Sequence, residues 1–173
     1  SQKRNVKHEE VRLAVMMLER RGLLSRPATK TVALSALANV GDVQGATWFM
    51  EKVEDPVTIT FNVLLRACAK AEDYESAETI LTEKMREHGL LPDAVSYGTA
   101  IGAHKEWNAI ARTWLRKACE IGNHRGRLMA CRQAMRVCAK SGDWDEAVRI
   151  LVEEMPKYKT IPESRDFREA AHA

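Results

Sequence analysis

The chain is predicted to fold as an all-α solenoid, a short right-handed superhelix of stacked helix-turn-helix hairpins. Composition is the first observation behind this. Of 173 residues only 6% are aromatic and five are Pro, whereas Ala, Leu, Glu, Lys and Arg abound, a set that favours helix over sheet. The second is internal repetition. ANVGDVQGA (38–46), AKAEDYESA (69–77) and AKSGDWDEA (139–147) are three versions of one phrase, offset by 31 and by 70 residues. Self-similarity with a period near 35 marks a repeat architecture, and an offset of 70 requires another copy between the last two. The third is periodicity. Apolar residues recur every three or four positions, in stripes that one hairpin cannot bury alone, so neighbouring hairpins must stack.

The best-formed unit, residues 58–93, shows how each element arises. Phe61, Leu64, Leu65 and Cys68 form the apolar stripe of a first helix, which Lys70 to Asp73 interrupts. Asp73 is placed to cap a second helix whose apolar face is Tyr74, Ala77, Ile80, Leu81 and Met85. Ala46, Ala77 and Ala147 share one repeat position, as expected where helices cross closely. Gly89 supplies a left-handed stop, and Pro92 blocks continuation.

On this pattern the chain is a single helical-repeat domain, 1–173, with complete units at 27–57, 58–93, 94–127 and 128–163. Residues 1–26 read as a partial unit, a second helix with its stop at Gly22. Residues 164–173 read as a partial repeat or tail. The unit 94–127 is degraded: Tyr97 follows Phe61 by 36 residues, and little else is kept. Both ends therefore read as open.

Charge and cysteines narrow the function classes. The net charge is only +3, yet residues 1–30 carry eight Lys or Arg against three acids, and residues 51–93 carry five against ten. Residues 94–136 turn basic again. Four cysteines, Cys68, Cys119, Cys131 and Cys138, show neither C-x-x-C spacing nor the density of a secreted disulfide scaffold. A reducing compartment follows, with Cys68 and Cys138 as small core residues. No apolar run reaches the roughly 18–20 residues of a membrane span. The opening SQKRNVKHEE has no apolar signal core, so it reads as a processed mature end, its transit peptide removed, or as a trimmed one.

No constellation points to catalysis, so the chain is expected not to be an enzyme and to need no cofactor or metal. HKE (104–106) matches the start of a deaminase zinc motif without the P-C-x-x-C that must follow. His104, His124, Cys119 and Cys131 lack the local pair spacing of a zinc site, and GNHRGR (122–127) lacks the Lys-Ser/Thr of a phosphate loop. Trp48, Trp107, Trp114 and Trp144 are weighted toward core packing over base stacking.

The period, together with TFN (60–62), Lys70-Ala71, Ala77 and MREHGLLPD (85–93), resembles the pentatricopeptide repeat. Mixed units of about 31 and 35 residues resemble its mixed-length class. The resemblance implies a non-catalytic protein of a plastid or mitochondrion that binds single-stranded or ribosomal RNA in processing, stability or translation. It implies roughly one base per repeat, read by a polar residue of the first helix and by the last residue of the repeat. Transferred to this chain, the readers are Asn62 and Asp93, with Ile59 and Val95 sandwiching the base, a pair the family pattern associates with uracil. By the same registration the other units offer Thr31 with Val57, Gly98 with Arg127, and Arg132 with Glu163, of which only Thr31 is a usual first-helix reader. Phosphate contacts are assigned to Arg116, Lys117, Arg125, Arg127, Arg132 and Arg136. The alternative is a scaffold subunit that uses the repeat surface to hold protein partners in a large organellar complex. No small-molecule substrate is expected.

Overall fold

A computed structural model describes residues 2–164, 166 and 167, with side chains from residue 7 onward. Nine helices and no strand occur among the described residues. They are α1 (Gln2–Arg20), α2 (Pro27–Val40), α3 (Val43–Met50), α4 (Thr58–Ala71), α5, α6 (Ala94–Ile101), α7 (Ala109–Ile121), α8 (His124–Ser141) and α9. Helix α5 runs from Tyr74–Thr79 through a π-helical segment, Ile80–Lys84, to Met85–Glu87. Helix α9 repeats that plan as Trp144–Arg149, Ile150–Glu154 and Met155–Lys157. The expected tail, 164–173, lies mostly outside the described residues.

The first helices α2, α4, α6 and α8 form a row, each packed on the next. The second helices α1, α3, α5, α7 and α9 form the other layer. The core lies between the layers and runs the length of the stack: Leu34, Leu37, Phe49, Phe61, Leu65, Met85, Ile101, Met135, Ile150 and Met155 are all fully enclosed. No helix among the described residues is long and apolar enough to cross a membrane.

Three hairpin turns share one chemistry. A residue in the left-handed region, Gly41 (φ 82°), Glu72 (φ 58°) or Gly142 (φ 69°), ends the first helix. An Asp follows at once and caps the second helix: Asp42, Asp73 and Asp143 accept hydrogen bonds from the backbone N–H of Gly45, Ser76 and Glu146 at 2.9, 3.0 and 3.2 Å. Such a cap satisfies one of the orphan N–H groups and stabilises by about 1 kcal/mol. One residue beyond each capped amide stand the small, fully buried Ala46, Ala77 and Ala147.

The unit 94–127 departs from this plan. Helix α6 has only eight residues and ends at Gly102, and a loop leads to Asn108, which caps α7 through Ala111 N at 2.9 Å. His104 fills the loop as a core residue. It is 1% exposed, stacked on Tyr74 at 5.3 Å and edge-on to Trp114 at 4.9 Å, and burial depresses its pKa. Trp114 is buried, Trp107 half-buried and Trp144 exposed.

Gly98 explains how α6 and α8 approach. A Cβ there would lie 3.1 Å from Met129 Cε and 3.2 Å from the backbone Cα of Ala130, tighter than packed atoms sit without displacement. Gly98→Asn, which would restore a polar side chain to that first helix, is therefore expected to cost about 1–3 kcal/mol. A thermal melt matching that of the parent would refute it.

Glu146 joins three elements of the last two units. Its carboxylate accepts from Arg149 (2.7 and 2.8 Å) and Arg112 (3.2 Å) and from Trp107 Nε1 (2.8 Å). The Arg149 bonds, against desolvation and with help from Trp107 and Arg112, hold its pKa down to about 2. The folded chain thus keeps the charge while the unfolded chain protonates near 4.5. The stabilisation is complete above that value and is lost as pH falls toward 2. His104 adds a separate loss that begins as pH falls below about 6.5, because the unfolded imidazole protonates first. Glu146→Gln should lower stability at pH 7 by about 1–3 kcal/mol. Denaturant unfolding at a series of pH values should show the gap from the parent closing between pH 4.5 and 2, and a constant gap would refute the assignment.

Candidate nucleic-acid interface

The row of first helices presents one continuous groove of about 510 Å³ to which all four contribute. Four cations line it: Arg66 and Lys70 from α4, and Arg136 and Lys140 from α8. No carboxylate does. The cations are paired by the repeat, because Arg136 and Lys140 follow Arg66 and Lys70 by 70 residues each, and burial along 61–70 is the same, position by position, as along 131–140. Two helical turns of exposed stripe therefore carry Arg and Lys four residues apart in both units. Gly102, where α6 stops, forms the floor between them.

The short α6 leaves a gap through which Lys140 reaches Glu72, two units back, at 2.9 Å. Among the described residues Arg66, Lys70 and Arg136 have no carboxylate partner. All three are exposed. Unpaired guanidinium and ammonium groups along an open groove attract polyanions, and they hold phosphates without reading sequence.

At the other end of α4 the predicted base readers meet. Asn62 Nδ2 donates to Asp93 Oδ1 at 3.5 Å. Asp93 is fixed because it caps α6, accepting from Ser96 N at 2.7 Å and from Ser96 Oγ at 2.9 Å. Asn62 Oδ1 is turned inward, buried and without a hydrogen-bond partner. Ile59, one turn before Asn62, is 71% exposed, and Val95, in the first turn of α6, is 37% exposed. Two bare apolar side chains thus bracket a half-buried amide. That arrangement can stack against the faces of a planar ring while the amide meets its edge.

The same position in other units is used differently. In α2, Thr31 is exposed and its hydroxyl donates to Pro27 O at 3.0 Å. In α6 it is Gly98, closed off by α8. In α8 it is Arg132, whose Nε donates to buried Asp166 at 2.6 Å and whose Nη2 donates to Glu163 at 2.8 Å. Arg132 and Glu163 are the counterparts of Asn62 and Asp93, each pair 31 residues apart, so an internal ion pair occupies the place where a base would be read.

The remaining sequence-selected cations are scattered. Arg136 lies in the groove. Arg127 is turned to Tyr158 O at 2.8 Å. Arg125 is exposed in the first turn of α8. Arg116 and Lys117 stand on α7, in the second-helix layer, with the Lys117 ammonium 5.6 Å from the Tyr97 ring centre. Sequence reasoning did not single out Arg66, Lys70 or Lys140. The signal was present in their offset of 70, but the ten acids of residues 51–93 made that unit look acidic throughout.

Cys119 and Cys131 bring their sulfurs to 4.0 Å, both buried, and Cys68 and Cys138 are buried in the core. Burial raises the Cys68 and Cys138 thiols to about 12. No three metal-binding side chains converge among the described residues.

Comparison with known proteins agrees with this geometry. A model described as the pentatricopeptide repeat domain matches residues 55–106, spanning α4, α5 and α6, and one described as the PPR repeat matches residues 133–153 in α8 and α9. A pentatricopeptide repeat-containing protein of Arabidopsis thaliana is 32% identical over 69 residues, 40% of this chain and 13% of that relative. The chain thus spans about an eighth of the length of the curated relative that it matches. The helical pairs, the repeated capped turns and both family matches agree in marking residues 55–106 and 133–153 as pentatricopeptide repeats.

Proposed function

We propose that the protein binds single-stranded RNA along the groove of its first helices, without catalysing a reaction on it, in a plastid or mitochondrion, where proteins of this family commonly work. RNA binding is general in the family. The observation that carries the reading is the unpaired cationic line of Arg66, Lys70 and Arg136 on the row of first helices, with the Asn62 and Asp93 pair at the other end of α4. These three, with Lys140, hold phosphates. Asn62, steadied by Asp93 and flanked by Ile59 and Val95, reads one base and favours a pyrimidine, since its amide offers one donor and one acceptor. Thr31 contributes a weaker contact one unit earlier. Arg127 and Arg132 act within the fold, and Arg116, Lys117 and Arg125 stand outside the groove. The family match and this groove weigh toward RNA over the scaffold reading.

Two unequal contributions follow, electrostatic grip and single-base reading, and anisotropy titrations with uridine-rich and adenosine-rich single strands separate them. Replacing Arg66, Lys70 and Arg136 together by Ala should weaken both strands alike, and should lower the slope of log affinity against log salt by about 2. Asn62→Ala should cost about 1 kcal/mol, roughly fivefold, on the uridine strand alone. Absence of binding at low salt, or an unchanged salt slope in the triple variant, would refute the reading.

A further inference from the structure

The second-helix layer has a cleft that the groove does not use. It lies between α3 and α5, has a volume of about 370 Å³, and is floored by Met50, Val53, Phe61, Leu64 and Ile80. The cleft exists because α3 stops after eight residues while α5 continues for three and a half turns. Its rim carries Glu51, Glu75 and Glu87 against Lys84 and His88. Lys84 is already committed to Glu87 at 3.2 Å. Among the described residues Glu51 and Glu75 have no cationic partner.

The repeat supplies its own comparison. Two units on, the equivalent cleft lies between α7 and α9 and is smaller, about 270 Å³. Position 79, a Thr, corresponds there to Arg149 by the offset of 70. Arg149 lines that cleft and is held along α9 itself, bonding Glu146 at 2.7 Å and Glu154 at 3.0 Å. Two rim positions invert in charge, Lys84 becoming Glu154 and Glu87 becoming Lys157, while Glu75 is matched by the acidic Asp145. In the last unit a long cationic side chain of the chain itself lines the smaller cleft. Between α3 and α5 the short Thr79 leaves an apolar floor open beneath an acidic rim.

We infer that this cleft is a docking site for a basic amphipathic helical segment of a protein partner, with one apolar side chain seated over Phe61 and Leu64 and flanking Lys or Arg residues meeting Glu51 and Glu75. The chemistry is complementary on both counts: an apolar floor takes an apolar anchor, and unpaired carboxylates take cations. The same carboxylates repel a phosphate backbone. The inference does not rest on RNA binding, since the cleft and the groove lie on opposite layers.

The test is fluorescence anisotropy with the whole chain and a set of short helical peptides, each with Leu, Phe, Met or Trp at the centre of an apolar face bordered by Lys and Arg. At least one should bind in the micromolar range, about −8 kcal/mol. Thr79→Arg, which places a long cation in the cleft where Arg149 stands in the last unit, should weaken it at least about tenfold, or roughly 1.4 kcal/mol. Glu51→Lys with Glu75→Lys should weaken it while leaving the melting temperature near that of the parent, and methyl signals of Val53, Leu64 and Ile80 should shift on binding. Failure of every peptide overturns the inference, as does binding that both variants leave intact or shifts confined to the residues of the groove. Concentration-dependent self-association that Thr79→Arg abolishes would seat a second copy in the cleft, and would overturn it as well.

Discussion

A two-helix hairpin has apolar residues on more sides than it can bury, and everything else in this structure follows from how that surplus is covered. In each unit one part of the stripe meets the partner helix, and the rest must meet the next unit. Phe61, Leu65 and Cys68 are fully enclosed although α4 alone gives them one neighbour in its own hairpin. The enclosure comes from α2 before it and α6 after it. The row of first helices is therefore a condition of stability, and the residues of that row pointing away from the core are left to form a continuous surface. Function can accumulate there because no position on it is needed for burial.

The stack also has to be held at a fixed angle, and the turns do this. A left-handed residue followed by a capping Asp fixes both the end of one helix and the start of the next in three or four residues. Where that device is replaced, in the unit 94–127, the consequences spread beyond the turn. Helix α6 loses its final turns, His104 enters the core in their place, and Lys140 crosses the gap to Glu72. Gly102, where that helix stops, lines the groove there. The surface pair itself adds little stability, but it shows how closely the units on either side approach.

Much of this was legible in the sequence. The three copies of one phrase gave the units, the Asp caps and the stops, because turn chemistry depends on local residue types. The Asn62 and Asp93 pair was legible for a similar reason, since both stand at fixed repeat positions. Cations were harder to place. A Lys or Arg is long and solvated, so composition counts it without locating it. Arg132 and Arg127 read from the sequence as phosphate contacts, whereas the structure sets Asp166 and Glu163 against the first and Tyr158 O against the second. Arg66 and Lys70 were hidden in an acidic stretch, none of whose carboxylates lines the groove. The fate of Gly98 also depended on three-dimensional approach: its lack of a side chain was plain, but the closeness of α8 was not.

The offset of 70 between the second complete unit and the last makes the molecule its own control. At the first-helix position proposed to read a base, Asn62 meets only Asp93, whereas Arg132 is closed by Glu163 and Asp166. At the second-helix cleft, Thr79 is open and Arg149 is closed by Glu146 and Glu154. In both cases the last unit has filled a repeat position with an arginine and neutralised it internally, while the unit 58–93 has left the same position short. An internal ion pair of this kind is a poor source of net stability, since desolvation offsets much of the attraction, yet it removes a binding position as firmly as a bulky residue would. The unit 58–93 thus faces outward on both layers, with a cationic groove on one side and an acidic apolar cleft on the other. The last unit is turned inward at both positions and keeps Arg136 and Lys140 in the groove.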